Sequence, residues 1–213
     1  MILCHKISNH IIIGRQPSSF FDNKVEIFTD KYFVMKIGII SDTHDDIDNV
    51  QNAIEIFREE KVDWIIHAGD FIFPGVIDEF NKLKDELPLS RVIGVLGNND
   101  GEKLMLLKKF MELGGKLEGE FDDIVIDGLR FGIYHGTSEK LREAAIKSGI
   151  YDVFFHGHTH KRREDKVGQT LVLNPGTAHK KINSASGLFE EEEEGGIMIF
   201  DTQTKEYKYV SLP

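Results

Sequence analysis

The feature that most constrains the fold is a regular alternation of short apolar runs and amphipathic stretches, which begins at Met35. Apolar runs at residues 37–41, 62–68 and 91–96 are each the right length for one buried strand. Helices are predicted after these runs: one from Ile47, with Asp45 or Asp46 as its cap, and two over residues 75–86 and 102–113. Strands and helices in this order predict a layered α/β sheet with parallel strands.

The second half of the chain is richer in strands. Residues 122–127 and 129–135 predict a hairpin that turns at Asp127-Gly128. The remaining predicted elements are a helix over 138–148, a strand over 151–156, and strand pairs at 162–165 with 170–173 and at 196–202 with 205–212. An Asn-Pro-Gly-Thr turn is expected at 174–177. Two sheets packed face to face and flanked by helices accommodate this order.

Two stretches of the chain lack the regular pattern of apolar residues seen elsewhere. Residues 1–34 contain only two short apolar runs, at 11–13 and 25–28, separated by loop-forming residues. We therefore place the domain at 35–213 and treat residues 1–34 as an N-terminal extension of uncertain role, either an appended segment or the product of an upstream start. The run of five glutamates from Glu190 to Glu194 predicts a solvated, flexible loop, with an electrostatic or recognition role as the alternative.

Composition narrows the function classes. The formal net charge of −10 disfavours a duplex nucleic acid or an anionic membrane as a partner, although bound cations can still attract phosphate groups. The single cysteine, Cys4, cannot form an intrachain disulfide, and the sequence has no secretory signal or transmembrane run. We therefore expect a cytoplasmic protein without a membrane partner. The sequence does not reveal its oligomeric state.

Metal-binding residue types follow the strands at five separate places. The residues concerned are Asp42 and His44, Asp70, Asn98, His135, and the pair His158 and His160. In open α/β sheets, sites form beyond the carboxyl ends of strands, so we expect these side chains to meet at one edge. In an extended chain His158 and His160 point the same way, and both rings can then face one metal ion.

This set of residue types suits a pair of divalent cations. A carboxylate can bridge two cations, while imidazoles and an amide oxygen complete the shells without adding negative charge. Two such cations can hold the attacking and leaving oxygens of a displacement at phosphorus and activate a water between them. The chemistry then needs no serine or cysteine nucleophile.

Taken in order, the motifs resemble those of the calcineurin-like metallophosphoesterases, and most closely the small bacterial and archaeal phosphodiesterase branch. The motifs are Asp42-x-His44, Gly69-Asp70, Gly97-Asn98-x-Asp100, His135-Gly136 and Gly157-His158-Thr159-His160. The resemblance covers residues 35–213 and implies an α/β fold, a four-layer α/β/β/α sandwich of two mixed sheets. A non-enzymatic retromer subunit is similar to the same branch.

The resemblance also implies a ligand assignment for two divalent metal ions. Asp42, His44 and His160 would hold the first metal, with Asp70 as the bridge to the second. The second would be held by Asn98, His135 and His158. Mn²⁺ is the activator that the resemblance favours, with Ni²⁺, iron or Zn²⁺ as alternatives.

One position departs from the family pattern. Many members carry a histidine after the metal-binding asparagine, where it is thought to protonate the leaving group, and this sequence has Asn99. An amide is no general acid at neutral pH, so we expect a small phosphodiester with a good leaving group as the substrate. The candidate catalytic residues are Asp70, Asn98 and Asp100. We expect Asp100 to lie behind the metal ligands and to orient a ligand or the substrate.

Two alternatives from other classes stay open. The chain could be a non-enzymatic protein-interaction scaffold on the same fold, or a phosphatase acting on phosphoproteins or phosphomonoesters. Among the other histidines, His67 is expected to be buried and hydrogen-bonded, and His156 to pack behind the site. His179 follows the predicted turn at 174–177 and could reach the substrate.

Overall fold

The apolar runs form two mixed sheets in the computed structural model of the chain. The structure describes residues 35–179 and 195–213. The N-terminal extension and the glutamate run at 190–194 lie outside the described residues. The strands are β1 (Lys36–Ile40), β2 (Trp64–His67), β3 (Val92–Gly94), β4 (Lys116–Leu117), β5 (Phe121–Ile126), β6 (Leu129–Tyr134), β7 (Val153–His156), β8 (Arg162–Val167), β9 (Thr170–Pro175), β10 (Gly196–Asp201) and β11 (Tyr207–Ser211).

The first sheet has the strand order β11-β10-β1-β2-β3-β4, and the second has the order β5-β6-β7-β9-β8. Strands β1 to β4 pair in parallel, as do β6 with β7 and β7 with β9. The antiparallel pairs are β1 with β10, β10 with β11, β5 with β6, and β8 with β9. The α-helices are α1 (Ile47–Glu60), α2 (Val76–Glu79), α3 (Lys103–Leu113) and α4 (Glu139–Lys147), with 3₁₀ turns at Phe80–Leu83 and Leu89–Arg91. None of the helices in the described part of the chain has the length and apolar character needed to cross a bilayer.

Strand alternation divides the core into layers. Ile37 and Ile39 of β1 point between the sheets, where they pack in one cluster with Phe131 and Phe155 of the second sheet. The neighbouring Ile40 points the other way and packs against residues of α1 and α2. On the outer face of the second sheet, a smaller cluster joins strand residues to α4. Helices therefore cover both outer faces, which confirms the predicted four-layer α/β/β/α sandwich.

Helix α1 shows how the sequence specifies an element. The Asp46 side chain accepts a hydrogen bond from the Asn49 N–H at 3.0 Å, which caps the helix. At the other end Lys61 takes the left-handed conformation and closes the last turn. The buried face includes Val50 and Phe57, as the spacing of apolar residues predicts.

Three local predictions were wrong. The helix expected over 75–86 is a four-residue α-helix continued by the 3₁₀ turn at Phe80–Leu83. The two-residue strand β4 was missed because two residues carry no periodic signal. Asn174 and Pro175, expected in a turn, belong to β9, in which Pro175 pairs with Arg162.

Strand register brings the polar strand ends together. Ile40 pairs with His67, and His67 pairs with Gly94, so the segments that follow β1, β2 and β3 emerge at one edge of the first sheet. In the second sheet Tyr134 pairs with His156, so the segments after β6 and β7 also emerge side by side. These segments carry the predicted ligands.

Candidate metal centre

Three predicted ligands form a first group. His44 Nε2 lies 3.1 Å from His160 Nε2, and Asp42 Oδ1 lies 3.4 Å from His160 Nε2. Asp42 is fully buried, whereas the His44 and His160 side chains are 15% and 31% exposed. The carboxylate therefore forms the floor of the group and the two imidazoles form its open side.

A second group surrounds His135, which is fully buried. Its Nε2 atom lies 3.3 Å from Asp70 Oδ2 and 3.1 Å from Asn98 Oδ1. The ring of His158 lies edge-on to that of His135, with centroids 5.2 Å apart. The structure thus brings the seven predicted ligands together around Asp42 and Asp70.

The two groups share their carboxylates. Asp70 Oδ2 lies 3.3 Å from His135 Nε2 and 3.8 Å from His44 Nε2, so it faces both groups. Asp42 Oδ1 also lies between them, at 3.9 Å from His44 Nε2 and 4.0 Å from His135 Nε2. Asp42 therefore also lies between the two groups, beside Asp70, which the resemblance assigns as the bridge between the metals.

The loops that carry the ligands have an unusual backbone. Five of the seven predicted ligands have positive φ: Asp42 (52°), His44 (41°), Asp70 (61°), His158 (69°) and His160 (54°). Side chains other than glycine rarely adopt this conformation, and it costs roughly 1–2 kcal/mol per residue. Hydrogen bonds between the loops hold it in place, from Asp42 N–H to the Gly69 carbonyl (3.0 Å) and from His44 N–H to the Asp70 carbonyl (3.2 Å).

The left-handed backbone corrects one expectation. His158 and His160 are not in extended chain, so the prediction that both rings face one object was wrong. His160 contacts His44 in the first group, and His158 lies beside His135 in the second. Two histidines from one short segment therefore serve different groups.

Glycines allow these segments to approach closely. A Cβ atom at Gly157 would overlap the Ser41 hydroxyl and lie 2.5 Å from Asp42 Oδ2. A Cβ atom at Gly97 would overlap Asp70 Oδ1 and lie 2.5 Å from the Asp70 nitrogen. The glycines before His158 and Asn98 are thus required by close contact with another ligand loop.

Asp100 lies behind the site and not at its surface. It is 1% exposed, and its Oδ2 accepts hydrogen bonds from Gly97 N–H (2.7 Å) and Asp70 N–H (3.1 Å). Its Oδ1 accepts from Ile72 N–H at 2.8 Å. Both carboxylate oxygens therefore tie the Asp70 loop to the Asn98 loop, which favours a positioning role for Asp100 over contact with substrate.

Asn99, at the position of the departure, faces Asp70. Its backbone N–H donates to Asp70 Oδ1 and its side-chain amide donates to Asp70 Oδ2, both at 2.8 Å. The amide therefore fixes the orientation of the shared carboxylate.

The charges of the site favour an added cation. Burial raises the pKa of Asp70, but hydrogen bonds from His135 and Asn99 outweigh it and hold the pKa of this carboxyl well below its usual range. Burial lowers the pKa of His135, whereas Asp70 and Asp42 raise it more, so the net pKa lies above the ordinary value. Burial lowers the pKa of His44 and of His158, which favours the neutral ring, the form that binds a metal.

The donor set fits a divalent metal ion. His135 Nδ1 lies 2.8 Å from the Ala68 carbonyl, and when its N–H donates there the Nε2 lone pair points into the site. Carboxylate oxygens, imidazole nitrogens and an amide oxygen then converge within about 4 Å of one another. Each of two carboxylate-containing triads, Asp42 with His44 and His160 and Asp42 with Asp70 and His135, has the spacing of a metal-binding group.

Three further residues support the site, and two of these were missed from the sequence. Ser41 Oγ donates to Asp42 Oδ2 at 2.5 Å, and Thr177 Oγ1 donates to the Asp42 carbonyl at 2.9 Å. Neither carried a signal, because serine and threonine are common near turns. His67, as predicted, is buried; its Nδ1 accepts from Gly69 N–H at 3.1 Å and its ring stacks on Phe71.

His156, as expected, packs behind the site. It is 1% exposed, its Nδ1 contacts the side-chain amide of Asn174 at 3.0 Å, and burial lowers its pKa to about 4.

Comparisons with known proteins identify relatives of the chain. Residues 35–205 match the calcineurin-like phosphoesterase superfamily domain. Over 179 residues the chain is 40% identical to phosphodiesterase MJ0936 of Methanocaldococcus jannaschii, which covers 84% of this chain and 99% of the relative. It is 24% identical over 160 residues to phosphodiesterase YfcE of Escherichia coli K12, covering 68% of this chain and 79% of the relative.

Solved structures show the same fold. A structure described as a novel archaeal phosphodiesterase superposes with a TM-score of 0.71 at 40% identity, covering 84% of this chain and 100% of that one. Vps29 of Chaetomium thermophilum superposes with a TM-score of 0.58 at 15% identity, covering 84% of this chain and 100% of its own. At that identity the likeness concerns the fold alone.

Proposed function

The chain belongs to the calcineurin-like phosphoesterase superfamily, and from that premise we propose that it is a phosphodiesterase that works with two divalent metal ions. Asp42, His44 and His160 would hold the first metal and Asn98, His135 and His158 the second, with Asp70 as a ligand to both. Mn²⁺ is the activator we expect, with Ni²⁺, iron and Zn²⁺ as the ions to compare. The substrate class is a small phosphodiester.

The observation that supports this most strongly is the sharing of carboxylates between two groups of imidazoles. Asp70 Oδ2 faces His135 at 3.3 Å and His44 at 3.8 Å, so one oxygen lies between the two groups. A single metal would need only one of these groups. Two such groups around two carboxylates suit a pair of cations.

Bound cations supply a water of lowered pKa as the nucleophile and positive charge for the oxygens of the phosphate. The chain contributes two buried carboxylates, Asp42 and Asp70, and otherwise neutral ligands, so a site with two divalent ions keeps net positive charge. The Ser41 hydroxyl is already bonded to Asp42 at 2.5 Å and serves as a donor to this ligand.

Asn99 sets the expected preference among phosphate esters. Its amide donates to Asp70 at 2.8 Å and has no proton to give to a leaving group at neutral pH. An ester whose leaving group needs protonation should therefore react roughly 10²–10⁴ times more slowly than with a general acid in place. We expect hydrolysis of aryl diesters to exceed hydrolysis of alkyl monoesters.

The test is a panel of esters and metals. The protein is stripped with a chelator, reloaded in turn with Mn²⁺, Ni²⁺, Fe²⁺ or Zn²⁺, and assayed on bis(4-nitrophenyl) phosphate and on an alkyl phosphate monoester. We expect metal-dependent cleavage of the diester, and Asn99→His as the matched variant should narrow the gap between the two esters. Equal rates on both esters would argue for a general phosphatase, and metal binding without hydrolysis of either ester would favour a scaffold.

A further inference from the structure

A histidine outside the seven predicted ligands is held against the first group. His179 N–H donates to the Asp42 carbonyl (3.2 Å) and to Thr177 Oγ1 (3.1 Å). The preceding Ala178 donates its N–H to the Ser41 carbonyl at 2.9 Å and accepts from the Asn49 side-chain amide at 2.9 Å. Hydrogen bonds thus fix this segment to both the β1 loop and the first turn of α1.

The ring of His179 adjoins the site without joining the ligands. Its centroid lies 5.7 Å from that of His44, in the same edge-on arrangement as the His44–His160 pair at 5.0 Å. Among the described residues, the triads with metal-binding spacing contain His44 and His160 but not His179. The imidazole therefore adjoins the predicted ligand His44 without being a member of either triad.

The ring of His179 is buried at one nitrogen and exposed elsewhere. His179 Nδ1 is buried and lies 3.8 Å from Asp46 Oδ2, the carboxylate that also caps α1. The side chain is nevertheless 31% exposed, so its exposed part lies away from Nδ1. The neighbouring ring of His44, whose side chain is 15% exposed, lies with its centroid 5.7 Å away.

We propose that His179 is a substrate-contacting residue whose Nε2–H binds a non-bridging oxygen of the phosphodiester on the first-metal side. This rests on the proposed function. The Asp42 carboxylate has no hydrogen to donate, and a ring nitrogen of His44 or His160 that binds a metal would carry none. His179 supplies the missing donor, and its backbone contacts keep that donor in place before the substrate arrives.

The test compares two variants of similar size with opposite hydrogen-bonding ability. His179→Phe keeps a flat ring without a donor, and His179→Gln keeps an N–H donor without a ring. With Mn²⁺-loaded protein, we expect His179→Phe to raise KM for bis(4-nitrophenyl) phosphate roughly ten-fold, the size of one hydrogen bond to a charged group. His179→Gln should restore most of that loss.

Binding measurements separate the outcomes. Calorimetric titration with inorganic phosphate should show the same loss in His179→Phe, while Mn²⁺ affinity stays within two-fold of wild type. A ten-fold fall in Mn²⁺ affinity would overturn the proposal by making His179 a ligand. Unchanged KM and phosphate affinity in His179→Phe would overturn it, because the ring would then line the site without binding the substrate.

Failure of the proposed function gives a different pattern. A wild-type protein that binds Mn²⁺ and phosphate but cleaves no diester contradicts the enzyme and still allows the phosphate titration of the His179 variants. As a positioning control, Thr177→Val removes the hydroxyl that accepts from His179 N–H. Its effect on phosphate affinity should largely disappear when His179→Phe is already present.

Discussion

The strand interiors and the strand ends of this molecule are built in opposite ways. Within β1, Ile37, Ile39 and Ile40 are fully buried and regular, and they pack between the sheets or against helices. Within a few residues the same chain carries Asp42 at a φ of 52° and His44 at 41°. The interior is thus apolar and relaxed, whereas the end is polar, partly buried and strained.

This difference indicates that the strand interiors provide the stability of the fold and the strand ends provide the chemistry of the site. Buried apolar side chains stabilise the layers at roughly 1.5–3 kcal/mol each for full burial. Left-handed ligand residues cost energy that the loop hydrogen bonds and the layers offset, and such strain persists where function needs a fixed geometry. Substitutions in the interior should therefore change stability alone, and substitutions at the ends should change activity first.

The largest expected effect is on stability. Phe200 is fully buried between the sheets against Phe131 and Phe155, and it pairs with Ile37, at the end of β1 away from Asp42. Phe200→Ala should lower the free energy of unfolding by about 3–5 kcal/mol. Urea unfolding measures this, and kcat of the folded, Mn²⁺-loaded protein should stay within two-fold.

The control is Phe200→Leu, which keeps most of the volume and should lose less stability. Two results would contradict the claim that strand interiors determine stability and strand ends determine activity. One is a Phe200→Ala protein as stable as wild type, and the other is a folded, metal-loaded Phe200→Ala protein without activity.

Gly157→Ala should affect both properties, because this glycine lies where the two regions meet. The new methyl group would overlap the Ser41 hydroxyl and crowd Asp42 Oδ2 at 2.5 Å. We expect a loss of about 1–3 kcal/mol in unfolding free energy, with a fall in kcat because Asp42 must shift. Gly119→Ala is the comparison, since Gly119 has no neighbour within 4 Å of the added atom and no positive φ. A normal kcat in Gly157→Ala would show that the ligand loops can move apart freely.

The smallest expected effect comes from Asp100→Asn, which replaces one oxygen acceptor by a donor behind the ligands. Asp100 accepts from Gly97, Asp70 and Ile72 backbone N–H groups at 2.7–3.1 Å. Loss of a residue that orients a ligand commonly costs about 10–100-fold in metal affinity or activity. Steady-state kinetics and Mn²⁺ titration should both show this loss. An effect on kcat with unchanged metal affinity would instead place Asp100 in contact with the reaction.

Much of the layered core could be predicted because periodicity is local. Apolar runs such as residues 62–68 predict strands, and the spacing of apolar residues in α1 predicts a helix. Loop geometry could not be predicted, since the positive φ of His158 and His160 depends on distant contacts such as the hydrogen bond from His158 N–H to Asp42 at 3.0 Å. For the same reason Ser41 and Thr177 were missed, although both bind Asp42.

The account depends on one property, the capacity of the seven side chains to hold two metal ions that share Asp70. The most direct test is the number of Mn²⁺ ions bound per chain after complete chelation, measured by calorimetric titration and elemental analysis in wild type and Asp70→Asn. We predict two ions per chain in wild type and weaker binding of both in Asp70→Asn. One ion in wild type, or unchanged binding in Asp70→Asn, would contradict the account.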